Sequence, residues 1–196
     1  MANKTQSDIE LIVRYLINDT EITLVPGDIF TYVSSSIFTL SESNVNSIVG
    51  VWVNDVELGS GKYSFDAVDG RLTITDTLVV GDNIEVQYKC YANYSSSEIW
   101  NYIQAALVHL SVNNYATYSI SETYVVPEPS DSDINLIALI AATIIKPGNI
   151  SYALPDIRIT VPDDVPTNEK IIKLICAAKQ NGFGYFDIMP TVSELE

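Results

Sequence analysis

One histidine, His109, is the only imidazole in the sequence, so any catalytic triad that uses one must pass through it. It lies beside the apolar stripe of a predicted helix, where a packing or surface role accounts for it better than catalysis. No Gly-x-Ser-x-Gly elbow is present. The segment Gly59-Ser60-Gly61-Lys62 resembles the end of a phosphate loop, but Val56 stands where the first glycine is needed and Tyr63 where Ser or Thr is needed. A hairpin turn explains it. Asp66 and Asp69 are close enough in sequence to share a cation, yet Asp69-Gly70 is ordinary turn composition and no spaced set of oxygen ligands accompanies it. Tyr91, Tyr94, Tyr115, Tyr118 and Tyr124 offer stacking surfaces for sugars or bases, although exposed tyrosine more commonly serves an interface. The expectation is a protein that is not an enzyme, with no cofactor and no metal.

The positioning elements are easier to read. From Arg71 to Tyr91 the chain alternates in twos, with Ile84, Val86, Tyr88 and Cys90 on one face and Glu85, Gln87 and Lys89 on the other, as in a half-buried strand. Near residue 92 the period changes. Ile99, Ile103, Ala106, Leu107 and Leu110 form a one-sided helical stripe, and Ser95 precedes Glu98 by a capping-box spacing. Upstream, turn signals at Pro26-Gly27-Asp28, Asn54-Asp55, Gly59-Ser60-Gly61, Asp69-Gly70 and Gly81-Asp82 divide short β-branched runs into an antiparallel sandwich or barrel. Asp8 to Ile17 reads as a short helix capped by Ser7 and stopped at Asn18-Asp19.

After the Tyr- and Ser-rich stretch around Pro127 and Pro129, which has no regular period, a helix is predicted from Asp131 to Lys146. Apolar residues cover almost every side of it, so it must be enclosed, and a neighbouring subunit is the expected means, with Ile137, Ile140, Ile144 and Trp100 as candidate interface residues. Ile157 to Val161 reads as an isolated strand. A last helix runs from Thr167 to Asn181, with Ile171, Ile172, Leu174, Ile175 and Ala178 inward and Gly182 as its C-cap. The residues beyond it have no helical period and read as an arm. The fold class is therefore α+β: a small antiparallel β sandwich or barrel joined to a three- to four-helix bundle, with an extended C-terminal arm. The divisions are 1–19 (N-terminal helix of the helical domain), 20–92 (β module), 93–182 (helical bundle) and 183–196 (arm).

Composition narrows the partners. The chain has 196 residues, 47% of them apolar, enough for one core or two small ones, and a net charge of -15 with only 10 Lys and Arg, which argues against tracking a phosphate backbone. No signal peptide and no membrane span is expected. Cys90 and Cys176 have no metal-ligand spacing and are expected as buried thiols.

Three places carry a family resemblance. IELIVRYLINDTE is similar to the short first helix of the head-to-tail adaptor (connector) proteins of tailed bacteriophages, and YSSSEIWNYIQAALVHLSV to their next helix, with its apolar-Ala-Ala stripe. Two further helices and an extended C-terminal segment follow. The inserted VWVNDVELGSGKYSFDAVDGRLTITDTLVVGDNIEVQY resembles a β module common in virion proteins, whereas simpler adaptors are mainly helical and lack it. The resemblance implies a virion protein of the neck, made in the host bacterial cytoplasm, assembling as a ring of about twelve copies. DNA would pass through the ring without specific binding, with the portal protein on one side and a stopper or tail protein on the other. It also implies that Tyr185, Phe186, Ile188 and Met189 of the arm dock on the portal. The alternative is another tail, baseplate or head-decoration protein that binds through its β module.

Overall fold

The structure, a computed structural model, describes residues 5–67, 69–148, 151–154, 157–160, 165–181 and 186–187. Val161, Gly182, Tyr185, Ile188 and Met189 lie outside the described residues. The fold is α+β, and the chain divides into two compact units: Asp19–Glu98, and a second made of Met1–Asn18 with Ile99–Glu196. The β unit is thus inserted in the chain between the first and second helices of the helical unit, and the second boundary falls in the first turn of a helix.

The β unit contains β1 (Ile22–Thr31), β2 (Ile37–Thr39), β3 (Val45–Val53), β4 (Val56–Glu57), β5 (Tyr63–Asp66), β6 (Arg71–Ile74) and β7 (Asn83–Tyr91). They form two sheets, ordered β1-β7-β3-β4 and β2-β6-β5, with every paired strand antiparallel. Alternation along β7 does what its sequence predicts: Ile84, Val86, Tyr88 and Cys90 all turn inward. They meet Phe38, Leu72 and Ile74 of the second sheet in one apolar core. The β3–β4 hairpin turns at Asn54 and Asp55, both with positive φ (49° and 65°), as expected of residues that tolerate that region.

β1 is broken by a register shift between Val25 and Asp28. Gly27 sits in this bulge at φ 131°, and a Cβ there would lie 2.8 Å from the carbonyl oxygen of Val86. The bulge aims the Asp28 carboxylate at the fully buried Tyr88, whose hydroxyl donates to it at 3.0 Å, while the Ser41 amide and hydroxyl donate to the same carboxylate at 2.7 Å each. A buried phenol is thereby satisfied.

The helical unit contains α1 (Gln6–Ile17), α2 (Ser96–Val112), β8 (Ser119–Ser121), β9 (Tyr124–Val126), α3 (Asp131–Ile145), β10 (Ser151–Leu154), β11 (Ile157–Thr160), α4 (Thr167–Asn181) and β12 (Phe186–Asp187). α1 begins two residues earlier than expected, because Thr5 and Asp8, not Ser7, form the capping box; it ends at Asn18 in the left-handed region, φ 56°. Ser95 and Glu98 exchange the expected capping bonds at 3.2 and 2.8 Å. Two further differences come from pairing that period cannot reveal. The Tyr- and Ser-rich stretch contains the β8–β9 hairpin, and β11 is not isolated but pairs antiparallel with β10 and parallel with β12. Phe186 is therefore on a short strand.

α3 is enclosed by its own chain. Residues 136–143 are all buried, with α1 and α4 packed against the helix, and the buried Thr143 hydroxyl bonds back to the Leu139 carbonyl at 2.7 Å. The expectation that Ile137 and Ile140 need a second subunit is corrected: both are 0% exposed within one chain. Ile144 is half-buried, and Ile172, expected inward on α4, is 45% exposed.

Gly27→Ala should lower unfolding stability by about 2–3 kcal/mol, because it combines a strained φ with a backbone collision; urea denaturation of the purified protein measures it. Ile137→Ala should cost roughly 2–4 kcal/mol at any protein concentration, since it opens a cavity inside one chain; a loss that vanished on dilution would instead point to a subunit contact.

Candidate interaction surfaces

A groove of about 420 Å³ in the helical unit is built on one face of α2. Gln104, Leu107, Val108, Ser111 and Val112 recur at helical spacing and form one wall; Thr117, Tyr118, Ser119 and Ile120, leading into β8, form the other. Leu107 is its buried floor, while Val108 and Val112 stand open at its lip. None of the lining side chains carries a charge at neutral pH. The groove suits an uncharged, partly apolar segment whose polar groups find hydroxyls, and its lining holds no general base and no activated nucleophile.

Beside it, Asp133 organises the junction between α2 and α3. Its carboxylate accepts from Tyr115 at 2.8 Å, from Tyr118 at 2.9 Å and from the Ser130 hydroxyl at 2.6 Å, and the Asp133 amide donates to the Ser130 hydroxyl at 3.2 Å in a capping box. Burial alone would raise the Asp133 pKa, but the hydroxyls of Ser130, Tyr115 and Tyr118 and the Ser130 amide outweigh it and hold the carboxyl below the usual range. Burial and then the facing carboxylate push Tyr115 up to about 12 and raise Tyr118 as well.

A second polar cluster joins α1 to α2. Arg14 donates from Nε to Glu10 Oε1 at 2.9 Å, and Trp100 donates its indole N–H to Glu10 Oε2 at 2.6 Å; Glu10 and Arg14 are both buried. Trp100, expected at a subunit interface, is half-buried and spends its one donor inside the chain.

The remaining sequence candidates are ordinary structure. His109 is half-buried on α2, its carbonyl accepting from Asn113. The Asp66 carboxylate accepts from the Asp69 amide at 3.3 Å, and Asp69 pairs with Arg71. Gly59 to Lys62 makes a single 3-10 turn, with Lys62 bonded to Asp76 at 2.6 Å. Cys90 is buried, which pushes its thiol up to about 11, but Cys176, expected buried, is exposed. Of the tyrosines, Tyr91 and Tyr94 belong to the β unit, and Tyr115 and Tyr118, in the helical unit, turn their hydroxyls to Asp133. Of the arm residues, Phe186 lies on β12. Among the described residues no group of three or more His, Cys, Asp or Glu comes together to hold a metal, and no helix is long and apolar enough to cross a membrane.

Sequence reasoning missed the groove, although Val108 and Val112, spaced by four beside the main stripe, carried a signal for it. No family model and no curated protein matches this chain.

The sign of the pH dependence follows from the directions of these shifts. A depressed Asp133 stabilises above the ordinary carboxylate range, and that contribution is lost as pH falls through its folded value. The raised tyrosines contribute fully below their ordinary value of 10.0, and this is lost as pH rises toward about 12. Asp133→Asn should cost about 1–3 kcal/mol and bring the Tyr115 transition back toward its ordinary value, read by ultraviolet titration of tyrosinate.

Proposed function

We propose that this protein is a structural component of a tailed-bacteriophage virion: a head-to-tail adaptor that forms a ring under the portal and links it to stopper or tail proteins around the DNA channel. The observation that carries this reading is the order of parts. Four helices form one unit, and an independent β unit enters the chain between the first and second, at the place where the sequence likeness to neck adaptors is interrupted. The chain's charge of -15 fits a wall along which DNA slides without adhering. Self-association in this reading draws on surface outside the α3 core, since Ile137 and Ile140 are already covered.

The second reading, a tail, baseplate or head-decoration protein binding through its β unit, is favoured by one feature. Ile22, Leu24 and Ile29, 47%, 56% and 69% exposed, leave apolar side chains open along the edge strand β1.

Light scattering of the purified protein, alone and mixed with the portal protein encoded with it, separates the two. The adaptor reading expects a ring or a stoichiometric portal complex, lost in a variant truncated after Gly184. A monomer that ignores the portal under all conditions overturns it.

A further inference from the structure

Three loops at one end of the β unit are bonded into a single body. The Tyr32 amide donates to the Asp82 carbonyl at 2.8 Å and the Gly81 amide to the Tyr32 carbonyl at 2.9 Å, which joins the loop after β1 to the turn before β7. The β3–β4 turn is tied to the same place: the Asn54 amide donates to the Asn83 carbonyl at 2.8 Å, and Asn54 Nδ2 donates to Asp82 Oδ1 at 2.8 Å. In return the Asn83 amide donates to Asn54 Oδ1 at 2.9 Å, and the Val79 amide donates to Asp82 Oδ2 at 2.7 Å. Asp82 and Asn54 thus fix the ends of four strands and the loops between them.

On this rigid end four valines are left open. Val33, Val56, Val79 and Val80 are 68%, 67%, 67% and 72% exposed. Loop tips usually carry small polar residues, and valine is a costly choice for a tip that only meets water. As a ligand it is a good one: a β-branched side chain has little rotamer freedom to lose, and loops already held in place pay little to be ordered on binding. The charge on the tips of these loops is acidic. Asp55, Glu57 and Asp82 belong to these loops, and residues 32–36, 54–57 and 78–83 contain no Lys or Arg.

We propose that this loop end is a docking tip whose valines seat in an apolar socket rimmed by Lys or Arg on a partner protein. The carboxylates decide between occupants. An anionic membrane would repel Asp55 and Glu57, and a tip-to-tip contact with a second copy would set the same carboxylates against each other. A protein socket with a basic rim meets both the valines and the acids. Resting on the adaptor reading, in which the C-terminal arm takes the portal, the partner is the stopper or tail protein.

The test uses the full chain, the portal protein and the stopper or tail protein encoded with it, in calorimetric titrations at low and high salt. Val33→Ser, Val79→Ser and Val80→Ser are combined in one variant, and Asp55→Asn, which keeps a residue that tolerates the positive φ of this turn, with Glu57→Lys in another; none of these side chains is in the described hydrogen-bond network that closes the tip. The expected result is at least about a ten-fold loss of affinity for the stopper or tail protein in each variant, weaker wild-type binding at high salt, and unchanged portal binding and thermal unfolding. Undiminished binding of both variants overturns the tip and leaves the adaptor reading standing, as does a wild-type chain that binds the portal alone. A chain that binds neither protein overturns the adaptor reading together with the partner named from it. Capture of the wild type, but not the valine variant, by phosphatidylcholine vesicles, or a halved mass on removing the valines, overturns the protein socket in favour of a membrane or a second copy.

Discussion

The enclosure of α3 constrains the rest of the helical unit. A helix apolar on nearly every side needs partners on more than one face, and α1 is one of them, although the whole β unit separates the two in sequence. Each such side chain contributes about 1.5–3 kcal/mol on full burial, enough to make the return of α1 to α3 a strong requirement. An insertion between α1 and α2 is compatible with that requirement only if its own two ends lie together. They do: β1 and β7, its first and last long strands, pair from Ile22 with Tyr91 onward, and the buried Asp19 accepts from both the amide and the side-chain nitrogen of Asn93 at 3.0 Å. The β unit enters and leaves at one point. The Glu10–Trp100 hydrogen bond then joins α1 to α2 within the helical unit.

Carboxylates do most of the local organising. Asp8, Glu98 and Asp133 close capping boxes, Asp28 satisfies a buried tyrosine, and Asp82 gathers three loops. Each accepts from backbone amides or hydroxyls, so an acidic side chain acts as structure without a cation beside it. Strong acidity and a well-ordered fold therefore coexist without a matching set of cations. The acids that remain at the surface are free to shape what the protein attracts and repels.

Much of the fold was legible because its signals are local. The alternation of β7, the stripe of α2, the positive-φ pair Asn54-Asp55 and the Ser95–Glu98 box are each complete within one strand or one turn. Errors fell where an element is too short to show a period or where a distant partner decides. The strands of the β8–β9 and β10–β11 pairs are only three or four residues long, and Ile172 looked inward only because a helical period names a face without saying how wide a face its neighbours cover. Likewise Tyr115 and Tyr118 read as an open aromatic surface until Asp133, a residue of another helix, claimed both hydroxyls.

The sequence by itself determined the α+β class, the division into a β part and a helical part, the positions of the four helices and the absence of any histidine-based triad other than one through His109. These follow from hydrogen-bonding rules and side-chain periods that act over a few residues. Tertiary structure alone decided that one chain can bury α3, that Glu10 and Arg14 form a buried pair reached by Trp100, that α2 and β8 bound a groove, and that Val33, Val56, Val79 and Val80 share one end of the β unit. Those outcomes depend on strand register and on how far apart in the chain two packed residues lie, and neither is encoded in any local pattern.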